Sequence, residues 1–556
     1  MKPSRSISRA IFFSLFLLLL IPVIESCSRL NRGESAHIFL VTLDTTRADY
    51  IDYSLSNNDV TPNLAQLASQ GQYFENAYAL IPITLPSHAS MFYSLPPHRL
   101  KLYNNGQVQK IAHPTVTQLL KREGYITGAV ISLGVLKADF GLNKGFDHYI
   151  ENFKPYLWDK PADAVNQDVF RLIRDLTREK DERKRFFFWI HYSDPHEPYF
   201  PPYEGGKFRI FVNGREVFVS RSTEQPVVNV EIQAKPGKNK VILDFEIPAN
   251  FKNYPGCTVE YIKYRDFSLE PLNNLEPREE PEIVFPAGWN VKKTRNGINY
   301  YSNEKRSEII VRNRLQRVLP LNLGFICSLR VDDAARKLFY REEVKYMDHH
   351  LGKLLEFLKQ ENIYEKSAFI IIGDHGEVLG EYRNHFGHIH FLNQTSVKVP
   401  LIIAGKGIPA GGRRDDVVSI LGIAPTILDI SEIKKPGFML GKSLLTPIPL
   451  SGVKLLLETY SPEANFDAFS IIDYPYQVIF YPGRRVKKME FFNLKRDPLG
   501  VHPSDDVNPD GKKGGKIRAG LVDSILKISR IIMASKGKIG SACKRHQEIL
   551  KSLGYL

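Results

Sequence analysis

The sequence predicts an α/β fold, and three apolar segments carry that prediction. HIFLVTL, FFFWIH and SAFIIIG are nearly continuous apolar runs, which is the pattern of strands buried on both faces of a parallel sheet. Helical segments separate them. Thr61-Pro62 opens one helix, with Thr as N-cap and Pro in the first turn, and residues 164–180 form an amphipathic helix. Strands that alternate with helices are typical of α/β domains.

Residues whose side chains can bind a metal ion or take part in catalysis follow two of these strands. Asp44 comes directly after HIFLVTL, and Asp374 and His375 come directly after SAFIIIG. Ligands of open α/β sheets gather at the carboxyl ends of the strands, so we expect these side chains to meet there, together with Thr84. Two carboxylates, an imidazole and a hydroxyl suit a divalent metal ion, and a metal-bound hydroxyl is an activated nucleophile. This set predicts a hydrolase or a group transferase that acts on an anionic ester.

The length, composition and net charge limit the kinds of protein that this chain can be. The chain has 556 residues, of which 43% are hydrophobic and 24% charged, so it is globular and long enough for two or more domains. Its net charge of +14 suits either an anionic substrate or an anionic surface, or is simply a solvated basic surface. No zinc-finger spacing or RNA-binding signature accompanies the charge, so nucleic acid is not an expected partner.

The N-terminus reads as an export signal. Lys2, Arg5 and Arg9 precede an apolar run over residues 10–24, which is short for a membrane span, and Cys27 follows it. The segment resembles a bacterial lipoprotein signal in which Cys27 would carry lipid; an ordinary secretory signal and an uncleaved anchor are the alternatives. All three predict a protein outside the cytoplasm, in the periplasm or cell envelope, and the lipoprotein interpretation, which we favour, also predicts a lipid anchor in the membrane at the N-terminus.

Three cysteines remain after Cys27. Cys257 and Cys327 fall in one segment and could pair in an oxidising compartment, or these two and Cys543 could be free thiols. No CxxC motif is present, so the sequence gives no sulfur-based zinc site.

Between residues 206 and 330 the sequence changes from helix-and-strand patterns to alternating apolar and polar residues. Alternating runs such as FRIFV and KVILDFEI predict strands, and Asn213-Gly214 is a strong hairpin signal. This pattern indicates an all-β module inserted into the α/β domain. Short β runs return between residues 454 and 494. The tail from Lys512 is basic and helical, and would form either a packing helix or a membrane-surface helix.

Several motifs, taken in order, resemble the sulfatase family of the alkaline phosphatase superfamily. They are LVTLDTTRADY, TPNLAQLASQGQYFENAYA, TLPSHASMFYSLPPHR, DPHEPYFPP, YREEVKYMDHHLGKLL, GDHGEVLGE, FGH, VPLIIAG, FFNLKRDP and LKSLGYL. The resemblance implies an alkaline-phosphatase-like three-layer α/β/α sandwich. It also implies four parts: a signal segment (1–27), a catalytic domain (35–205 with 331–450), the β module (206–330) and a C-terminal β subdomain with a basic helical tail (451–556).

The chain departs from the family pattern at the expected nucleophile. Sulfatases carry a Cys or Ser there, which becomes formylglycine, whereas this chain has Thr84. His88 replaces the motif arginine, Thr45 follows Asp44 where the family has a second aspartate, and His375 replaces an asparagine. These changes resemble the phosphatase, phosphodiesterase and phosphoethanolamine-transferase branches of the superfamily.

The expected cofactor is one divalent metal ion on Asp44, Thr84, Asp374 and His375. The imidazole of His375 favours zinc or manganese, with calcium and magnesium as alternatives. A phosphothreonine can be hydrolysed at phosphorus, whereas a sulfothreonine lacks the exit that a formylglycine hydrate provides. Thr84 therefore favours phosphate esters, although the family name points to sulfate.

The remaining candidate residues surround the reacting ester. The resemblance gives His196 the role of leaving-group acid, and His388 would bind the anion or share that role, with His385 a weaker candidate. Further substrate-binding candidates are His88, Asp194, Arg99 and Lys101.

Three functions compete. The first is a metal-dependent hydrolase of phosphate or sulfate esters whose substrate lies on a glycan or a lipid. The second is a transferase that moves a phosphate-containing head group onto a surface glycan or lipid. The third is a non-catalytic glycan-binding protein, which the retention of all four metal-shell residues disfavours.

Overall fold

The computed structural model describes residues 36–108, 110–153, 159–178, 184–197, 199, 207–219, 227–246, 259–271, 280–294, 297–302, 306–331, 333–448, 453–461, 466–483, 488–504 and 511–535. The predicted signal segment lies outside these residues, as do Cys27, Cys257 and Cys543, so the proposed lipidation and cysteine pairing stay predictions.

The first part of the chain alternates strands and helices, as predicted. Its elements are β1 (His37–Leu43), α1 (Pro62–Ser69), β2 (Gly71–Tyr78), α2 (Thr84–Tyr93), α3 (Pro97–Leu100), α4 (Val116–Arg122), β3 (Tyr125–Val130), β4 (His148–Ile150), α5 (Ala162–Thr177) and β5 (Arg185–Tyr192). Thr61 is the N-cap residue of α1, but its hydroxyl exchanges hydrogen bonds with the Asp52 backbone instead of capping the helix. Thr115 forms a full capping box with Gln118 at α4.

All helices and strands assigned within the described residues between 207 and 331 are strands. They are β6 (Lys207–Val212), β7 (Arg215–Val219), β8 (Val227–Ala234), β9 (Gly237–Glu246), β10 (Val259–Pro271), β11 (Glu282–Val284), β12 (Trp289–Thr294), β13 (Gly297–Ser302), β14 (Arg306–Asn313) and β15 (Leu319–Val331). Asn213 and Gly214 join β6 to β7 with positive φ angles of 51° and 81°, which is the conformation of the predicted hairpin turn. These strands form three-, five- and two-stranded sheets.

The α/β pattern resumes after β15 and gives way to a second set of strands. The elements are α6 (Asp333–Gln360), β16 (Ser367–Gly373), β17 (Val378–Leu379), β18 (Phe386–Gly387), α7 (Gln394–Val397), β19 (Leu401–Gly405), β20 (Gly412–Ser419), α8 (Ile423–Ile430), β21 (Lys454–Ser461), β22 (Phe466–Asp473), β23 (Tyr476–Tyr481), β24 (Lys488–Asn493) and α9 (Gly511–Ser535). Strands β21 to β24 form an antiparallel sheet, and α9 packs its apolar residues on it. The domain boundaries given above stay a prediction.

One mixed sheet organises the molecule. Its eight strands have the order β20-β2-β19-β16-β1-β5-β3-β4. Strands β16, β1, β5, β3 and β4 are parallel to one another, whereas β19 is antiparallel to both β16 and β2. Alternate residues of β1 enter different cores. Phe39 and Val41 pack with α1, α5 and α6, whereas Ile38 and Leu40 pack with α2, α4 and α8. Helices therefore cover both faces of the sheet, which is the predicted α/β/α sandwich.

Candidate active site at the carboxyl edge of the sheet

Strand register brings the predicted acidic residues together. The last residues of β1 and β16, Leu43 and Gly373, are paired neighbours in parallel strands, so Asp44 and Asp374 follow at the same edge. Leu43 also pairs with Tyr192 at the end of β5. The backbone N–H of Asp44 donates to the Tyr192 carbonyl over 2.9 Å. The register of the parallel strands thus places Asp44 and Asp374 next to each other at the carboxyl edge of the sheet.

Thr84 reaches the same edge from a buried helix. It is the first residue of α2, a ten-residue helix in which every residue is buried. Its hydroxyl oxygen lies 3.3 Å from Nε2 of His375. The backbone N–H of Leu85 is held by the Asn105 side chain at 2.9 Å, which fixes the start of the helix. The hydroxyl therefore occupies a defined position beside the carboxylates, at the positive end of a helix dipole.

The ligand atoms of Asp44, Asp374 and His375 fit a metal ion. One atom from each residue lies within 4.8 Å of the others, and all three residues are buried. The backbone N–H groups of Thr45 and His375 donate to Oδ1 of Asp374 at 3.1 and 2.7 Å, whereas its Oδ2 accepts no hydrogen bond. Oδ1 of Asp44 is also buried without a partner. Two unsatisfied carboxylate oxygens facing an imidazole are what a divalent cation would satisfy.

The pKa shifts of Asp374 and His375 also fit a metal-binding site. Burial and the neighbouring Asp44 carboxylate raise the pKa of Asp374 well above its usual range. Burial lowers the pKa of His375 to about 3, and His388 adds to that shift. The neutral imidazole of His375 has a lone pair free for a cation, and a cation would displace the proton that burial favours on Asp374.

Sequence reasoning missed His191, which contacts Asp44 directly. Nε2 of His191 lies 3.2 Å from Oδ2 of Asp44, and its Nδ1 lies 2.6 Å from the Ser132 hydroxyl, so that with its proton on Nε2 the neutral ring donates to Asp44 and accepts from Ser132. Burial lowers the pKa of His191 to about 3. The imidazole therefore orients the Asp44 carboxylate. A histidine near the carboxyl end of an apolar strand was the signal that could have identified it.

His88, the replacement for the family arginine, is a buried residue of α2. Its Nδ1 lies 2.8 Å from the Thr84 carbonyl and 3.6 Å from Oδ2 of Asp374, while Nε2 has no hydrogen-bond partner. Burial, reinforced by His191, lowers its pKa well below the usual value. His88 thus touches the carboxylate cluster as a neutral group.

His388 reaches the cluster through a small hairpin. Pairing of β17 with β18 sets Val378 opposite Gly387, which brings His388 beside Glu377. Nδ1 of His388 lies 3.2 Å from Oε2 of Glu377, and its Nε2 is buried without a partner. The His388 ring lies 4.7 Å from the His375 ring and 5.2 Å from the His196 ring. The structure therefore groups His196 and His388 with Asp44, Asp374 and His375, and adds Glu377, which sequence reasoning did not include.

Arg47 ties the loops after β1 and β16 together. Its buried guanidinium donates to Oε1 of Glu381 at 2.7 Å, to the Glu377 carbonyl at 3.3 Å and to the carboxylate of Asp49. These charge-assisted bonds hold the two strand-end loops at a fixed separation.

Other substrate-binding candidates lie elsewhere. Oδ1 of Asp194 accepts a 2.9 Å hydrogen bond from the backbone N–H of Ala162 at the start of α5, while its Oδ2 is buried without a partner. Burial raises the pKa of Asp194 to about 7. Arg99 and Lys101 are exposed on and after α3, and within the described residues no hydrogen bond or ion pair joins them to the cluster. The half-buried His385 directly precedes β18, and its Nε2 and Oε1 of Glu377 both lie near Gly387.

An α/β sandwich with a carboxylate, imidazole and hydroxyl cluster at the carboxyl ends of its central strands defines a class of ester hydrolases. Within that class the chain belongs to the sulfatase family, because the family model described as Sulfatase matches residues 36–433. The departures at Thr84, His88 and His375 therefore occur inside a member of that family.

Known relatives and structures agree with this placement. The chain is 22% identical to arylsulfatase K of Homo sapiens over 490 residues, which cover 84% of this chain and 79% of the relative. A structure described as a complex with its substrate D-glucosamine-2-N,6-O-disulfate superposes with a TM-score of 0.56 at 16% identity, covering 90% and 99% of the two chains. The phosphonate monoester hydrolase of Agrobacterium radiobacter gives a TM-score of 0.55 at 14% identity, covering 89% and 96%. The two structures share the fold with this chain.

None of the helices in the described part of the chain is both long enough and apolar enough to cross a membrane.

Proposed function

We propose that this sulfatase-family protein is a metal-dependent hydrolase of phosphate or sulfate esters in which Thr84 is the nucleophile. The observation that carries the proposal is the position of the Thr84 hydroxyl. It stands 3.3 Å from Nε2 of His375, next to the two buried carboxylates, at the start of a fully buried helix. A threonine buried for packing alone would not need two unsatisfied carboxylate oxygens beside it.

Asp44, Asp374 and His375 would hold the metal ion, with the Thr84 hydroxyl as a fourth ligand. The imidazole favours zinc or manganese over calcium or magnesium. When bound, the cation supplies positive charge that lowers the pKa of the threonine hydroxyl and neutralises the buried carboxylates.

The side chains of this site would carry out nucleophilic attack and proton transfer. The Thr84 oxygen forms a bond to the phosphorus or sulfur, and the bond to the leaving alcohol breaks. The proton that the Thr84 hydroxyl gives up is taken by the neutral imidazole of His388 or His196 and passed to the departing oxygen. Water then attacks the esterified threonine, which regenerates the hydroxyl and releases the inorganic anion. Glu377 holds Nδ1 of His388, so that Nε2 is the nitrogen available to the substrate.

Phosphate esters fit this chemistry better than sulfate esters. Water can hydrolyse a phosphothreonine by attack at phosphorus. A sulfothreonine lacks the second hydroxyl of a formylglycine hydrate, which is the group that expels sulfate in sulfatases. Sulfate esters remain the second candidate because the chain belongs to the sulfatase family. A substrate carried on a glycan is supported by the disulfated glucosamine described for one structure of the same fold.

We also propose that the protein works outside the cytoplasm. Residues 2–27 carry the charged, apolar and cysteine segments of a lipoprotein signal. Mass spectrometry of the mature N-terminus tests this, since an intact Met1 on a cytoplasmic protein would contradict export.

A side-by-side assay tests the catalytic proposal. Matched aryl phosphate, aryl phosphodiester and aryl sulfate substrates are given to the zinc- or manganese-loaded protein. We expect turnover of a phosphate ester to exceed that of the sulfate. Faster turnover of the sulfate would select the second candidate, and no turnover of any ester would contradict the hydrolase.

A further inference from the structure

The hairpin that leads to His388 has a strained turn at its tip. Residues 382–385 form this turn between β17 and β18, and a 3.1 Å hydrogen bond from the His385 N–H to the Tyr382 carbonyl closes it. Its two central residues, Arg383 and Asn384, have φ angles of 55° and 52°. Asparagine tolerates this left-handed conformation, whereas the Cβ atom of an arginine is crowded by the following carbonyl oxygen. Contacts from outside the turn must therefore hold Arg383 in place.

A buried carboxylate of the C-terminal sheet supplies such contacts. Glu490 lies on β24 and is 3% exposed. Its Oε1 accepts from the Arg383 guanidinium, and its Oε2 accepts from the Tyr382 hydroxyl. The guanidinium also lies over the Tyr382 ring, 4.9 Å from its centroid, and 5.5 Å from the ring centroid of Tyr481 on β23. Charge-assisted hydrogen bonds are about twice as strong as neutral ones, so the pair with Glu490 opposes the crowding at Arg383.

The same sheet also contacts the residue after His388. The Thr459 hydroxyl on β21 donates to the Ile389 carbonyl. Ile389 has a φ of 77°, which is rare for a β-branched residue, and its N–H donates to the Pro82 carbonyl at 3.2 Å. Pro82 lies two residues before Thr84. His388 is therefore fixed from both sides, through the hairpin tip before it and through Ile389 after it.

The position of this hairpin determines where His388 points. Its Nδ1 lies 3.2 Å from Oε2 of Glu377, the residue directly before β17, and its Nε2 is buried without a hydrogen-bond partner. Both members of that contact flank the hairpin whose tip Glu490 holds. A displaced hairpin would move Nε2 of His388 relative to Thr84, which begins a separate helix. Proton transfer needs hydrogen-bond reach, so such a displacement would slow it.

We propose that Glu490 is a positioning residue that holds His388 within reach of the departing oxygen. The inference rests on the proposed function, in which His388 takes part in proton transfer. With a neutral amide in place of the Glu490 carboxylate, the ion pair to Arg383 is lost and the turn can relax. The C-terminal sheet thereby supports catalysis from outside the α/β sandwich.

Leaving groups of different basicity test the inference. Metal-loaded native protein and Glu490→Gln are given 4-nitrophenyl phosphate and phenyl phosphate, with the two sulfates in parallel. 4-Nitrophenolate departs without a proton, whereas phenolate, the stronger base, depends more on a proton donor. We expect the variant to lower kcat/KM for the phenyl ester about tenfold more than for the 4-nitrophenyl ester, because a small misplacement of a catalytic group costs up to about 100-fold. An equal fall for both esters of every pair that is turned over would overturn the inference.

Two further variants separate positioning from general stability. Glu458→Gln is the matched control, because Glu458 is buried on β21 of the same sheet and contacts the Tyr460 hydroxyl and His98. It should keep the ratio between the two esters even if the protein becomes less stable. In a His388→Gln background, Glu490→Gln should leave the ratio unchanged, because it acts through that imidazole. A further tenfold change in the double variant, or the same change in Glu458→Gln, would overturn the assignment.

Magnetic resonance separates this inference from the proposed function. In zinc-loaded protein labelled with nitrogen-15 histidine, the ring-nitrogen signals of His388 are identified by their loss in His388→Gln. We expect Glu490→Gln to shift these signals and Glu458→Gln to leave them in place. Unshifted signals in Glu490→Gln would contradict the inference and leave a measured ester hydrolysis standing. Shifted signals support the positioning of His388 by Glu490 even if the native protein hydrolyses none of the esters.

Discussion

Thr84 is the residue on which the proposed chemistry depends. Its side chain is fixed by a buried helix and lies beside His375, so its removal should not disturb the surrounding packing. We expect Thr84→Ala to reduce turnover by roughly 10⁴-fold or more, because a nucleophile and its activating groups act as a unit. Thr84→Ser keeps a hydroxyl and should retain part of the activity.

The covalent intermediate can be trapped directly. Acid quenching of the native protein with substrate should leave added phosphate or sulfate mass on the peptide that contains Thr84. Full activity in Thr84→Ala would mean that water attacks the ester directly and that the covalent route is wrong.

Asp374 should matter most for the metal. Its Oδ2 is buried without a hydrogen-bond partner 3.4 Å from Nε2 of His375, and its Oδ1 is fixed by two backbone N–H groups, so the carboxylate is held in place for a cation. We expect Asp374→Asn to lose the ion, whereas Thr84→Ala loses less because three ligands remain. Elemental analysis after desalting measures the difference, and Asp429→Asn, an exposed carboxylate on α8, is the control. Equal metal content in Asp374→Asn and the native protein would contradict the assignment.

At the scale of single elements, α4 shows how a local motif fixes a helix start. The Thr115 hydroxyl accepts from the Gln118 N–H at 3.1 Å and donates to the Lys144 carbonyl at 3.0 Å. Thr115→Ala should therefore lower the free energy of unfolding by about 1–2 kcal/mol. Urea unfolding measures this, and Thr115→Ser should recover most of the loss. A Thr115→Ala variant as stable as the native protein would show that the cap is dispensable.

Strand β1 carries a pH-sensitive contact at its first residue. Burial, with Lys366 and Lys406 nearby, lowers the pKa of His37 to about 4, and its Nδ1 faces the Phe186 N–H at 3.3 Å. The folded state therefore keeps His37 neutral while the unfolded chain takes up a proton below pH 6.5. This contribution to stability is complete above about pH 6.5 and is lost as the pH falls toward 4.

His37→Gln should remove that pH dependence. Between pH 8 and pH 5, the native protein should lose at most about 2 kcal/mol more unfolding free energy than the variant. Above pH 7 the difference between the two proteins should not change with pH, which serves as the internal control. Parallel curves down to pH 5 would contradict the shifted pKa.

At the scale of the whole molecule, the β-rich segment between residues 207 and 331 packs against a helix of the α/β domain. Buried residues of its strands, including Ile210, Ile232 and Leu243, belong to the same apolar cluster as Phe339 and Tyr340 of α6. Replacing residues 207–331 by a short linker should therefore lower the unfolding midpoint, while the metal cluster at the central strands is retained. Metal content and thermal unfolding measure the two effects, and loss of the ion on deletion would make this segment part of the catalytic core.

Much of the fold could be predicted because the main sheet is encoded locally. Apolar runs predicted β1, β5 and β16, and the polar residues after β1 and β16 predicted the cluster, since parallel neighbours end at one edge. Asn213-Gly214 predicted its hairpin for a similarly local reason. The family motifs placed Thr84, His196 and His388, and the structure groups all three with the cluster or beside it.

The sequence by itself thus determined the sandwich, the edge of the sheet at which the candidate site lies and the residue types found there. Tertiary structure decided which polar residues touch. His191 joins Asp44 because β5 lies next to β1, and Glu377 joins His388 because β17 pairs with β18. Such contacts depend on strand order and hairpin register, which connect residues across the chain. Periodicity and motif spacing report only on neighbours along the sequence, so they cannot specify these contacts.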